Sequence, residues 1–419
     1  MRKIKIGPIK NTDISLPGSK SYTHRMLIAA AFSEDWCRIH NPLESEDTNY
    51  TRQALAALGA KVEKAGAYVD IKGTGGRFQP VDEPIDLGNS GTSMRLLTGV
   101  VALGQGSYEL TGTDRMKQRP IKHLLDALHQ IGVQALSING NGCPPVRVNG
   151  GKITGGEVKI DCSISSQFLS SLLLMAPLTG NGLSIQVVKG PVSKPYIDMT
   201  VDVLNQFGIK LERQGYNRFD VKGSQTYQAG EYTVEPDASQ ASYFWAAAAV
   251  TGAVIKVKNI TSTSLQGDVR FVRVLEQMGC RVKEAEDGIS VAGGPLSGID
   301  TDMSDMPDLV PTLAVVAAFA KGQTVIRNVG HLRDKESDRL SAVQNELNKI
   351  DISADTQDDD LIITGGAPKG GEIDTYDDHR MAMSFAVAGL CTPGIFIKNE
   401  NCVAKSFPGF WEMFDRMYA

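Results

Sequence analysis

The sequence predicts an α/β protein of two domains, each holding three copies of a two-helix αβ unit. Three observations lead there: a helix-to-strand signature met five times, polar clusters ahead of Ala-rich segments met six times, and an N-terminal strand that belongs to no copy. The signature reads Leu-x-x-apolar-Gly-apolar-x-apolar and is centred on Gly59, Gly132, Gly208 and Gly279, with a degraded copy at Asp351; the intervals are 73, 76, 71 and 72 residues. Each copy is a helix closed by a left-handed residue at its C′ position and running straight into a strand. A repeat of this length is one supersecondary unit that buries its apolar face against its neighbours.

The polar clusters lie about 40 residues upstream of each signature. They are Gly18-Ser19-Lys20-Ser21, Gly88-Asn89-Ser90-Gly91-Thr92, Ser163-Ile164-Ser165-Ser166-Gln167, Asp237-Ala238-Ser239, Met306-Pro307-Asp308 and Tyr376-Asp377-Asp378-His379-Arg380. With Ser21, Thr92, Ser166, Ser239, Asp308 and His379 as markers, the spacings are 71, 74, 73, 69 and 71. The Ala-rich segments that follow, as at 29–31, 246–249 and 314–320, read as helices buried on all sides. The sixth copy has its second helix at 408–417 and no strand after it, whereas residues 2–7 form a strand without a unit. We therefore expect the N-terminal strand to cross over and complete the sixth unit. That groups the copies three and three, with one domain over 20–233 and the other over 1–19 plus 234–419. Glycine pairs at 75–76, 155–156, 293–294 and 365–366 are loop tips.

Composition removes several function classes. Among 419 residues Lys plus Arg number 43 and Asp plus Glu 48, a net charge of −5, which is unlike the strongly basic footprint of a nucleic-acid binder. The longest nearly apolar stretch, 244–255, falls short of the ~20 residues needed to span a bilayer, so no membrane partner is expected. The N-terminus lacks the apolar region of a secretory signal. The six cysteines, at 37, 143, 162, 280, 391 and 402, never approach closer than 11 residues; without CxxC spacing they read as free thiols in a reducing cytoplasm. The six histidines lack the close pairs of a zinc site. Neither GxxxxGK[ST] nor GxGxxG occurs, so nucleoside triphosphate and dinucleotide binding have no support.

Ser, Thr, Asp and Asn are ordinary N-caps, and each cluster taken alone reads as a cap. The repeat opens a second reading, in which symmetry-related helix N-termini face one cleft between two domains and present their N–H groups and dipoles to anions. Cations gather at these starts and beside them: Lys20, Arg25, Arg95, Arg119, Lys194, Arg333, Lys335, Arg339, Arg380 and Lys405. Singly, each is equally well a solvated charge or a structural ion pair. Together, in a chain of net negative charge, they suit small polyanions rather than a polymer. The run from Arg333 to Arg339 is densely mixed in charge, which a solvated helix start would also explain. Asp378-His379-Arg380 stands directly ahead of an apolar helix, where charges are costly unless paired or facing a ligand.

Eight separated motifs then agree in order between residues 16 and 408. They are Leu16-Pro-Gly-Ser-Lys20-Ser-Tyr-Thr-His-Arg25, Leu87-Gly-Asn-Ser-Gly91-Thr-Ser-Met-Arg95, Arg115-Met-Lys-Gln-Arg119-Pro, Ser165-Ser-Gln-Phe-Leu, Ser193-Lys-Pro-Tyr196-Ile-Asp, Lys335-Glu-Ser-Asp-Arg339, Asp378-His-Arg-Met-Ala-Met and Lys405-Ser-Phe-Pro. Together they resemble the 5-enolpyruvylshikimate-3-phosphate synthase family. The resemblance implies an inside-out α/β repeat of six βαβαββ units, three per domain, with the chain starting in the C-terminal domain. It implies transfer of the enolpyruvyl group of phosphoenolpyruvate to the 5-hydroxyl of shikimate 3-phosphate in an interdomain cleft, by a cytoplasmic monomer with no metal and no cofactor.

Both ligands carry a phosphate and a carboxylate, so several Arg and Lys side chains must neutralise them at close range. Carried onto matching positions, the family pattern has Lys20, the Gly91 backbone, Arg119, Gln167, Arg339, Arg380 and Lys405 on phosphoenolpyruvate. It places Lys20, Ser21, Arg25, Ser165, Ser166, Gln167, Ser193, Tyr196, Asp308, His331 and Lys335 on shikimate 3-phosphate. Lys20, Asp308 and Glu336 are the implied acid/base set. The cleft must exclude water, so closure of the domains on the ligands is expected. This chain departs from the pattern at His331, where Asn is frequent, and conservatively at Ser90 and Leu96. The sister UDP-N-acetylglucosamine enolpyruvyl transferases usually carry a reactive Cys five residues before the Arg of an Arg-Pro pair, where this chain has Asp114, and 107–122 holds no Cys. A non-catalytic anion-binding scaffold would not require Asp308, Glu336 and Asp378-His379-Arg380 at helix starts, and an RNA-end-processing repeat would want a basic face.

Overall fold

Both repeat series reappear as helices in a computed structural model that describes residues 1–419. In order they are α1 (Lys20–Phe32), α2 (Glu46–Ala57), α3 (Gly91–Ala102), α4 (Lys122–Gln130), α5 (Gln167–Met175), α6 (Pro195–Gln206), α7 (Ala238–Thr251), α8 (Phe271–Gln277), α9 (Val310–Ala317), α10 (Arg339–Lys349), α11 (His379–Ala388) and α12 (Phe410–Asp415). Odd-numbered helices follow the polar clusters, and even-numbered ones from α2 to α10 end at the signature. Gly59, Gly132, Gly208 and Gly279 take φ of 106°, 84°, 80° and 116°, and Asp351 takes 67°. The left-handed turn is thus kept in the degraded copy, at the ~1–2 kcal/mol that a Cβ costs there.

The chain divides into two compact units, Gly18–Val234 and Met1–Pro17 with Glu235–Ala419; the repeat alone had suggested 20–233 and the remainder. In the first unit three four-stranded sheets recur with one topology. Ile85–Asp86 pairs in parallel with Gly106–Thr111, which pairs antiparallel with Val146–Gly150, which pairs antiparallel with Gln134–Ser137. The strands Gly156–Asp161, Gly182–Lys189, Arg218–Lys222 and Leu211–Gln214 repeat this order. The remaining sheet takes its first strand from the far end of the unit: Glu231–Thr233 lies parallel to Trp36–His40. The first two parallel pairs are each bridged by a buried odd-numbered helix, α3 and α5, whereas α1 only leads into Trp36–His40. Every residue of α3, and all of α1 but Ser21, is buried, whereas α4 buries the single stripe Leu124, Leu125, Ala127 and Leu128.

The second unit repeats the plan with chain exchange at its start. Arg2–Lys3 pairs antiparallel with Ile395–Ile397 in the sixth sheet, as the missing last strand required. The paired segment is shorter than the expected 2–7, because its partner strand Ile395–Ile397 has three residues; after the Ile4 N–H donates to the Ile395 carbonyl the chain leaves the sheet and next makes a lone bridge between Ile9 and Tyr418. Thr12–Ile14 then lies parallel to Val254–Lys258 and supplies the first strand of the fourth sheet, a second crossover that the repeat count did not reveal. The last helix spans Phe410–Asp415 rather than 408–417, following Pro408-Gly409. Each unit has its own core, and α7, α9 and α11 form the centre of this one. No helix is long and apolar enough to cross a membrane. All six cysteines are free thiols.

Candidate active site

Capping accounts for most of the polar clusters. Ser90 accepts from the Ser93 N–H at the head of α3, Asp237 from Gln240 at α7, and Asp378 from Arg380 at α11. The residues preceding α1, α5 and α9 (Ser19, Ser166 and Leu309) make no side-chain capping bond. At α1 and α9 helix capping does not explain the polar side chains, and at α5 the cap comes one residue earlier, from Ser165 Oγ accepting from the Gln167 N–H at 3.2 Å.

In the Gly18–Val234 unit the most informative of them is Arg25, 1% exposed. Its Nε donates to Thr200 Oγ1 at 2.7 Å, Nη1 to the Ser21 carbonyl at 2.9 Å, and Nη2 to the Tyr196 carbonyl at 3.2 Å and Ser170 Oγ at 3.3 Å. All four acceptors are neutral. Burial lowers the guanidinium pKa to about 10, which still leaves it charged at neutral pH. A buried cation with hydrogen bonds but no carboxylate among its acceptors is costly until an anion arrives.

Nearby starts are tied to one another. Gln167 opens α5; its Nε2 donates to Thr92 Oγ1 at 2.9 Å and its Oε1 accepts from Arg95 Nη1 at 3.0 Å, a guanidinium that also reaches Ser165 Oγ at 3.3 Å. Lys20 Nζ meets Asp47 Oδ2 at 3.1 Å, both groups being buried. Gly91 opens α3 with an ordinary φ, and a Cβ there would stand 2.4 Å from Arg119 Nη2. The glycine is therefore needed for room rather than for backbone freedom: it lets the Arg119 guanidinium, held to the Asn89 carbonyl at 3.0 Å, lie against the helix start. Ser166 and Ser193 are buried as well, Ser193 with a left-handed φ of 54°.

In the unit containing Glu235–Ala419, Arg339 is also 1% exposed but is met by three carboxylates. Its Nε donates to Asp378 Oδ2 at 2.8 Å, Nη1 to Asp308 Oδ1 at 2.8 Å and Nη2 to Glu336 Oε2 at 2.7 Å. Arg380 Nη2 donates to Asp308 Oδ2 at 2.6 Å and its Nη1 to Tyr243 Oη at 3.3 Å. Asp308 thus bridges two guanidiniums, one oxygen to each. Burial disfavours its charge, but Arg380, Lys335 and Arg339 outweigh burial and hold the carboxyl well below the usual carboxylate range. His331 is half-buried; desolvation first, and then repulsion by Lys335, push it down to about 3, so it is neutral at pH 7. Its Nε2 is buried without a hydrogen-bond partner. Lys405 is buried at the end of the 3-10 turn Glu400–Lys405, which packs on α11.

The first unit therefore gathers Ser21, Arg25 and Tyr196; Ser165 and Gln167; and Gly91 with Arg119. The second gathers Asp308, Glu336, Arg339 and Arg380, with Lys335 in the same field. Two partners had no signal in the sequence. Asp47, which holds Lys20, sits at the start of an outer helix and reads as a first-turn acid. Asp268, in the 3-10 turn Gly267–Arg270, lies outside both repeat series and reads as a turn residue. Arg95 stood among the clustered cations, but nothing local showed that it orients Gln167. No group of three or more His, Cys, Asp or Glu side chains is arranged to hold a metal ion.

The profile of the EPSP synthase family (3-phosphoshikimate 1-carboxyvinyltransferase) matches residues 5–414. A 3-phosphoshikimate 1-carboxyvinyltransferase of Syntrophobacter fumaroxidans is 45% identical, with 100% of both chains covered. One from a Sulfurovum species is 44% identical, with 99% of each covered. The EPSP synthase structure from Acinetobacter baumannii superposes with a TM-score of 0.81 at 30% identity, covering 99% of this chain and 97% of that one. The enolpyruvyl transferase NikO from Streptomyces tendae, at 20% identity and a TM-score of 0.78, shares the fold. The chain belongs to the EPSP synthase family, the 3-phosphoshikimate 1-carboxyvinyltransferases.

Proposed function

We infer that the chain transfers the enolpyruvyl group of phosphoenolpyruvate to the 5-hydroxyl of shikimate 3-phosphate, releasing phosphate. The observation that carries this reading is the Asp308 bridge: an acid/base carboxylate is held on the two arginines that the family pattern assigns to the donor. Arg25 supports it from the other unit, as a buried cation whose hydrogen bonds all end on neutral oxygens and which suits an anionic acceptor. On this reading the two sets serve the two substrates of one reaction. Lys20, the Gly91 backbone, Arg119, Gln167, Arg339, Arg380 and Lys405 take phosphoenolpyruvate. Lys20, Ser21, Arg25, Ser165, Ser166, Gln167, Ser193, Tyr196, Asp308, His331 and Lys335 take shikimate 3-phosphate. His331, being neutral, offers a hydrogen bond rather than a charge.

The chemistry is addition followed by elimination. The 5-hydroxyl oxygen bonds to C2 of phosphoenolpyruvate as its proton is removed and a proton is delivered to the methylene carbon. The tetrahedral adduct then loses a methyl proton, and the C–O bond to phosphate breaks. Asp308, Glu336 and Lys20 form the acid/base set. A carboxylate clasped by two guanidiniums is a weak base, so Asp308 serves once the substrate anions have taken over Arg339 and Arg380. The reading carries with it a cytoplasmic monomer that needs no metal or cofactor. Its test is phosphate release from phosphoenolpyruvate by the full chain, without added metal, with shikimate 3-phosphate in one reaction and UDP-N-acetylglucosamine in another. Release with shikimate 3-phosphate alone is expected; release with the sugar nucleotide, or with neither, overturns it.

A further inference from the structure

Behind the Asp308 bridge lies a carboxyl group that the proposed chemistry does not use. Asp268 is 3% exposed. Ser239, half-buried at the head of α7, donates from Oγ to Asp268 Oδ2, while Oδ1 is buried with no hydrogen-bond partner. The charges facing it are Asp308 from the turn ahead of α9, Asp237 from the cap of α7 and Arg380 from α11. On its own turn Arg270 is directed to Asp305 at 3.6 Å, and that pair is partly solvated. Burial first, and then repulsion by Asp308, outweigh Ser239 and Arg380 and push the Asp268 carboxyl up to about 7.

An anion that binds Arg339 and Arg380 upsets this balance. It neutralises Arg380, the cation facing Asp268, and it releases Asp308 from both guanidiniums. Three carboxylates and the new anion would then share one dry cluster, a cost that a single proton removes. We propose that Asp268 is a positioning residue for the reaction: it takes up one proton from solvent, through the Ser239 hydroxyl, when the donor's anionic groups bind, and so leaves Asp308 as the ionised carboxylate. This rests on the assignment of Arg339 and Arg380 to phosphoenolpyruvate made above. The half-buried Ser239 hydroxyl is the path by which the proton reaches an otherwise closed site.

The test is calorimetric titration of the full chain with phosphoenolpyruvate alone, which cannot turn over without an acceptor. It is run between pH 7 and 9 in two buffers of different ionisation enthalpy. Wild type should take up a proton on binding, with affinity falling by up to about tenfold per pH unit as the pH rises. In Asp268→Asn the uptake should vanish and the affinity should lose its pH dependence. Ser239→Ala removes a hydrogen bond that favours the ionised form, so its uptake window should move to higher pH. Binding without proton uptake in wild type, or uptake that survives in Asp268→Asn, overturns the proposal. If Asp268→Asn does not fold, an unmoved window in Ser239→Ala overturns it. Absence of any binding by wild type would instead overturn the donor assignment, and this proposal with it.

Discussion

Arg25 and Arg339 are buried to the same 1% exposure, yet the two units treat them in opposite ways. The first unit surrounds Arg25 with two hydroxyls and two carbonyls and lets its charge stand. The second neutralises Arg339 with Asp308, Glu336 and Asp378. An uncompensated buried cation costs stability in the free protein and gives affinity for an anion without prior rearrangement. A self-neutralised cation is stable in the free protein, but an anion must displace a carboxylate to reach it. On the proposed function, that exchange turns the displaced carboxylate from a clasped group into a base, so binding and proton transfer would be linked in the second unit and separate in the first.

The largest expected effect is on chemistry. Asp308→Asn and Glu336→Gln should each lower the rate of phosphate release by about 10²–10⁴-fold, the usual range for losing a proton-transfer group. Initial rates at saturating substrate check this, and losses under tenfold in both would leave the carboxylate cluster as a purely structural one. Next comes stability. Arg339→Met should destabilise the chain by about 3–5 kcal/mol, because it strands buried carboxylates. Arg25→Met should be neutral or stabilising in denaturant titrations while binding of shikimate 3-phosphate falls by about 10²-fold, as loss of a charge-assisted contact of about 3 kcal/mol implies. Equal denaturation shifts in the two variants would erase the contrast.

Smaller effects sharpen it. Gly91→Ala should push the Arg119 guanidinium aside without unfolding the helix, since the atoms in the way are the end of a flexible side chain. The KM for phosphoenolpyruvate should rise by about tenfold, the equivalent of about 1.4 kcal/mol. We predict competitive inhibition of the wild type by glyphosate and its relief in Gly91→Ala; an inhibition curve unchanged by the substitution would detach Gly91 from the donor site. Last, His331 has a folded pKa far below its unfolded one. Its contribution to stability is present above the unfolded pKa near 6.5 and is lost as the pH falls toward 3. His331→Asn should flatten that part of the stability profile, measured as melting temperature between pH 7 and 4. A slope unchanged by the substitution would assign the acid limb to other groups.

Much of the fold was legible because it is written in local chemistry. Glycines at left-handed C′ positions and capping residues such as Ser90 and Asp378 act within one turn of chain, so each repeat of them shows in one dimension. The strand at Arg2–Lys3 could be inferred by counting, since the sixth unit lacked one. The strands Thr12–Ile14 and Glu231–Thr233 could not, because nothing in three residues states which distant edge they will pair with. The site divides the same way. Its cations announced themselves at helix starts and in the motifs. Asp47, Asp268 and the Arg95–Gln167 contact stayed hidden, since each depends on a partner at least 27 residues away, as Lys20 and Asp47 are.

By itself, then, the sequence determined the repeat, the helix ends, the family and the clustering of cations at helix starts, because these follow from backbone conformation and short motifs. The tertiary structure decided which of those charges are compensated. Arg25 and Arg339 look alike as letters, and no local rule separates them. Whether a buried guanidinium meets carbonyls or carboxylates is set by side chains brought in from other helices, and in a medium where solvent cannot screen them those neighbours decide whether the charge is held for a ligand or already spoken for.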